Sequence, residues 1–202
     1  MDDFYFTIKK ESRTETKIKN SKFIGHTYSV DSIESVQSIL TEIKKKEYKA
    51  NHDCFAFIIG LGNKKIFKYS DDGEPNGTAG KPIYDVIEGN QLTNILFVVT
   101  RYFGGTKLGT GGLVKAYSEA YKSVLEKSGI IKKYLTNTIK FEIDFSLYNL
   151  LLKLIDKVGA KLINSEFSDN VHVDIKIRKS KISQLKEEVK ELTSGKVSFD
   201  ES

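Results

Sequence analysis

The 202-residue sequence predicts an α+β protein built from two domains. Strand-period and helix-period apolar patterns alternate along the chain without either dominating. A glycine-rich middle then gives way, near residues 131–137, to a self-contained run of strands and helices. The expected domains are residues 1–132 and 136–202.

Taken in order, Lys22 to Val30 reads as a strand. Asp31 is placed to cap a helix with apolar positions Ile33, Val36, Ile39, Leu40 and Ile43, and Glu34 would complete a capping box. Cys54–Ile59 and Lys65–Tyr69 read as strands joined across Gly60-Leu61-Gly62-Asn63. Asp71 to Gly77 is a long turn. Pro82 suits the first position of a short helix ending near Gly89. Asn94 to Thr100 is a buried strand. Leu113, Ala116, Tyr117, Ala120 and Val124 mark one face of a helix that Gly129 would close.

Beyond Gly129, Thr138 to Phe145 alternates as a strand, and Leu147 to Val158 is helical up to Gly159. Lys161–Phe167 and Val171–Arg178 form a hairpin across Ser168-Asp169-Asn170. Ile182, Leu185, Val189 and Leu192 mark a further helix, and Lys196–Phe199 a last strand. The order βαββαβ is the ferredoxin-like arrangement.

Composition narrows the function. No segment approaches the about 18 apolar residues of a membrane helix, and the opening residues carry no signal-peptide pattern, so a cytoplasmic protein with no membrane association is expected. One cysteine, Cys54, excludes an internal disulfide, and with only three histidines a zinc site is not expected. The net charge of +5 is spread along the chain, and only three of the 32 basic residues are arginine. Charge alone therefore does not mark a nucleic-acid binder.

Eleven of the 15 glycines and both prolines fall between Gly60 and Gly112. Two strings stand out there. One is Asp71-Asp72-Gly73-Glu74-Pro75-Asn76-Gly77-Thr78-Ala79-Gly80-Lys81-Pro82. The other runs Thr100-Arg101-Tyr102-Phe103-Gly104-Gly105-Thr106-Lys107-Leu108-Gly109-Thr110-Gly111-Gly112, and on through Lys115 to Tyr117. With His52-Asp53-Cys54-Phe55-Ala56, they resemble the signature of the IMPACT/YigZ family. Asn76 stands where serine is expected and Lys115 where arginine is commoner. The resemblance implies an N-terminal domain similar to the second domain of a small-subunit ribosomal protein, and a C-terminal domain similar to one in elongation factor G. It also implies a link to translation, because eukaryotic relatives bind an activator of a starvation-responsive initiation-factor kinase. The extra N-terminal binding domain of those relatives is not seen in this sequence, so the kinase role is not carried across.

The loop from Gly104 to Gly112 leads into a helix whose free N–H groups and dipole attract anions. Arg101, Gly104, Gly105, Lys107, Gly109, Gly111, Gly112 and Lys115 are the candidate phosphate-binding residues. Tight-turn geometry is the competing reading. The loop is neither a Walker A motif nor a dinucleotide fingerprint. Arg101 could grip a phosphate or carboxylate, or pair with Asp71, Asp72 or Glu74. Those three carboxylates, with Thr78, are read as a supporting turn, with a hard cation or acid/base work as alternatives. His52 and Cys54 share a strand face and could touch, but no orienting third group is evident. Tyr102 could stack on a base, as could Phe103 and Tyr117; core packing is the competing reading.

The leading expectation is a non-enzymatic binding protein without cofactor, contacting RNA, the ribosome or a translation-associated protein through the glycine-rich surface. The alternatives are an enzyme acting on a phosphorylated small molecule or nucleotide, and a protein-interaction scaffold.

Overall fold

The structure is a computed structural model that describes residues 3–199. The described residues divide into two units, one spanning Tyr5–Lys133 and the other residues 134–199 with residues 3–4.

In the first unit, β2 (Ser12–Ile18), β3 (Ser21–Ser29), β4 (His52–Ile59), β5 (Ile66–Ser70) and β6 (Ile95–Tyr102) form one antiparallel sheet in the order β2-β3-β6-β4-β5. Its central strands are apolar on both faces, so both must be covered. Cys54, Ala56, Ile58, Ile95, Phe97 and Val99 face one way, onto α2 (Gly80–Gly89) and α3 (Thr110–Ser128). Phe57, Ile59, Leu96 and Val98 face the other way, onto α1 (Ile33–Lys46). A separate ribbon pairs β1 (Phe4–Ile8) with β7 (Ile130–Tyr134).

In the second unit, β8 (Thr136–Ile143), β9 (Lys161–Phe167) and β10 (Val171–Arg178) form an antiparallel sheet in the order β8-β10-β9. Alternate residues of β8 and β10 pack on α4 (Tyr148–Val158) and α5 (Ile182–Leu192). The expected last strand is reduced to one bridge, Phe199 to Phe141 on the free side of β8. Ser194 and Gly195 both take positive φ, so the chain turns sharply after α5 and reaches the sheet only at Phe199.

The α+β reading holds, with local corrections. Ser32, not Asp31, caps α1: its hydroxyl accepts the Ser35 N–H at 3.1 Å, and Ser35 Oγ accepts the Ser32 N–H at 3.4 Å. Helix α2 begins at Gly80, so Pro82 is its third residue, where its missing N–H still leaves no intrahelical bond unmade. Strands β1, β2 and β7 were not anticipated. The half-buried positions of β2 are Ser12, Thr14, Thr16 and Ile18, so hydroxyls replace the aliphatic residues that mark a strand. Its turn into β3 places Lys19 and Asn20 at φ 44° and 66°, a two-residue hairpin built without glycine.

Neighbouring β3 residues face opposite layers. A Cβ on Gly25 would lie 2.9 Å from the Ala120 carbonyl oxygen of α3, so only glycine lets the helix approach this closely. Gly25→Ala should destabilise by about 1–3 kcal/mol, measured as a lower urea midpoint. His26 points to the α1 side and is 7% exposed. Burial, then the Arg13 charge, pulls its pKa from 6.5 to about 4, with Lys46 acting the same way and Glu47 opposing. The unfolded chain therefore binds a proton that the fold refuses between those values. Stability should be fully present above pH 6.5 and fall toward pH 4, by on the order of 2–3 kcal/mol from this group. Urea unfolding of wild type and His26→Gln across that window checks it, and the variant should lose this part of the slope.

Candidate functional site

Strand register sets the site. Arg101 shares the face of Ile95, Phe97 and Val99, and lies directly across from His52 of β4. It is 5% exposed, so its charge needs a partner within the fold. The turn after β5 supplies one. Asp71 accepts the N–H groups of Gly77, Ala79 and Gly80 at 2.8–2.9 Å. Asp72, at φ 43°, accepts the Asp53 N–H at 2.7 Å. The Thr78 hydroxyl donates to the Pro75 carbonyl at 2.6 Å. This frame turns Glu74 inward, where it is 8% exposed.

Glu74 Oε1 accepts from Arg101 Nη1 at 2.6 Å and from the Tyr117 hydroxyl at 2.8 Å. His52 Nε2 stands 4.0 Å from the same oxygen. Its Nδ1 lies 2.7 Å from the Asp72 carbonyl, which can only accept, so the Nδ1 carries the proton. On the other side, Ser21 Oγ accepts the Gly104 N–H at 3.1 Å and lies 3.4 Å from Arg101 Nη2. A Cβ at Gly104 would sit 2.0 Å from the Asn20 carbonyl carbon, so glycine is required where the loop crosses the β2–β3 turn.

The Cys54 thiol lies 3.0 Å from the Asp71 carbonyl and 3.3 Å from the Tyr117 hydroxyl. Burial pushes the thiol well above its ordinary range, and pushes the Tyr117 phenol up as well. Neither group is set up as a nucleophile or base at neutral pH. Cys54 and His52 share a face as expected, yet each is bonded to the carboxylate turn. Among the described residues, no group of three or more His, Cys, Asp or Glu side chains is placed to hold a metal ion.

Above the Arg101–Glu74 pair opens a cleft of about 340 Å³, walled by Phe103, Lys107, Leu108 and the start of α3 at Gly109 and Thr110. Gly109 caps α3 at φ 70° and offers no side-chain hydrogen bond to the first N–H groups. The structure thus brings Arg101, Lys107 and Gly109 together, with Gly104 and Gly105 on the same loop and Gly111 and Gly112 in the first turn of α3. Lys115 is exposed on α3 but does not line the cleft. Tyr102 is on the other sheet face: its hydroxyl donates to Glu47 at 2.6 Å, and that bond pushes its pKa up to about 12. Phe103, 46% exposed, is the aromatic ring that reaches the cleft. Ser21 was missed, since it lies 80 residues from Arg101 and belongs to no motif.

Fold and site define a two-unit α+β protein in which a glycine loop at the head of a helix covers a buried Arg–Glu–Tyr cluster. The chain belongs to the IMPACT family: residues 19–125 match the Impact N-terminal domain, and residues 141–196 match a domain of unknown function, DUF1949. It is 34% identical over 197 residues to the IMPACT family member YvyE of Bacillus subtilis, covering 98% of this chain and 90% of that one. It is 29% identical over 180 residues to the IMPACT family member YigZ of Escherichia coli, covering 89% and 88%. A solved structure described as a hypothetical protein superposes with a TM-score of 0.70 at 26% identity, over 98% of this chain and 97% of that one.

Glu74→Ala would strand a buried guanidinium. The expected loss is about 3–5 kcal/mol in urea unfolding. The double variant Glu74→Met with Arg101→Met should regain much of that stability. A double variant no better than the single one would show that the pair is not what the site rests on.

Proposed function

We propose that this chain is a cytoplasmic, translation-linked binding and regulatory protein that holds a phosphate backbone, of RNA or the ribosome, on its glycine-rich surface. The observation that carries the reading is the meeting of exposed Lys107 with the uncapped head of α3 at the mouth of the Arg101 cleft. Unpaired N–H groups and a lysine on an open loop suit an extended polyanion. Membership of the IMPACT family supports a setting in translation. That Cys54 and Tyr117 are both held protonated supports binding rather than catalysis.

The cleft itself favours a second reading. Its roughly 340 Å³ would admit a small phosphorylated molecule. One such metabolite giving strong, specific thermal stabilisation would move the weight to an enzyme.

The deciding experiment is binding of the purified protein to total RNA and to ribosomes at low and high salt. Affinity should fall steeply with salt, and Lys107→Ala should weaken binding and reduce the salt slope by about one. No binding by the wild type at low salt would sink the phosphate-backbone reading and leave a translation-associated protein as the partner to seek.

A further inference from the structure

We propose that β5 is a docking edge for an acidic, extended segment of a partner protein, which would join the five-stranded sheet as a further strand. In the order β2-β3-β6-β4-β5, β5 bonds only to β4, so one row of its backbone N–H and C=O groups has no strand beside it. Residues 62–69 are exposed throughout. Ile66, Phe67 and Tyr69 are 52%, 54% and 41% exposed. Phe67 and Tyr69 lean on Tyr84 of α2, with ring centroids 5.0 and 5.6 Å apart, which extends the apolar edge onto the helix. The opposite edge of the same sheet is built differently: the exposed positions of β2 are Arg13, Glu15 and Lys17. Proteins ordinarily blunt a free edge in that way. β5 carries one lysine, Lys68, but three of its five residues are the exposed Ile66, Phe67 and Tyr69, so it is less fully blunted than β2 and fits strand addition.

Charge selects the occupant. Lys64, Lys65 and Lys68 lie on or beside β5, no acidic residue stands between Gly62 and Ser70, and none of the three lysines is in an ion pair among the described residues. The nearby acids of α2 are engaged, Asp85 by Lys81 and Glu88 by the Tyr84 hydroxyl. A second copy of this chain would bring the same lysine run to the same short edge, which like-charge repulsion disfavours. An acidic strand would neutralise it. RNA is the weaker occupant, because Phe67 and Tyr69 tilt against Tyr84 by 38° and 43° rather than offering open, parallel stacking faces, and RNA leaves the backbone edge unpaired.

The probe is an acetylated heptapeptide alternating glutamate with valine, beside a counterpart carrying lysine for glutamate. The acidic peptide should bind in a salt-sensitive way and slow amide hydrogen exchange along Ile66–Ser70. Lys68→Glu should weaken it on the order of tenfold, and the lysine peptide should not bind. Failure of the acidic peptide to protect β5, with wild type and variant equally folded by circular dichroism, would overturn the proposal. So would self-association through this edge, or β5 protection by RNA instead. Lys68→Glu should leave RNA binding that depends on Lys107 intact, which separates this surface from the glycine loop.

Discussion

The guanidinium of Arg101 is buried with one carboxylate, Glu74, against it. A charge pair in that position costs several kcal/mol in lost hydration unless its hydrogen bonds are met. The fold meets most of them by bringing four separate segments to one point, and leaves only the Arg101 Nε without a partner among the described residues. The turn after β5 delivers Glu74, α3 delivers the Tyr117 hydroxyl, the β2–β3 turn delivers Ser21, and β6 delivers the arginine itself. Ser21 also accepts the Gly104 N–H. The loop above the cleft is therefore anchored to the same cluster that forms the cleft floor.

The carboxylate turn shows how misleading local charge density can be. Asp71, Asp72 and Glu74 stand within four residues of each other, a spacing that could suit a hard cation. In the folded chain they diverge. Asp71 is occupied by three N–H groups of its own turn, Asp72 by the Asp53 N–H, and only Glu74 turns to the interior. Two acids hold the backbone so that the third can be aimed.

The sequence made the central architecture legible where side-chain chemistry and backbone state agree. Ile95 to Val99 reads as a buried strand and the stripe from Leu113 to Val124 as one face of a helix, and the structure packs that face on the sheet. Legibility failed where long-range packing supplied what local composition lacked. Strand β2 carries threonines where aliphatic residues would have announced it, and β1 and β7 pair across more than 120 residues of chain. At the site, Arg101, Glu74 and the loop glycines could be picked out, because charges at the end of an apolar strand and glycines before a helix are local signals. The direction of Tyr102 was a matter of strand parity, and Ser21 a matter of tertiary approach. Neither is written in a motif.

The first unit contains three helix starts of very different character. Helix α1 is closed by the reciprocal bonds of Ser32 and Ser35, and the Asp71 carboxylate reaches across a turn to the N–H groups of Ala79 and Gly80 at the start of α2. Helix α3, the longest of the three, is preceded by a glycine with nothing to offer. The protein has thus used its own side chains to quench the positive pole of two helices and kept the third exposed. Of the three α-helix heads in this unit, that of α3 alone has its positive pole unshielded by a side chain, so the polarity of this surface is set by what the other two helices already hold.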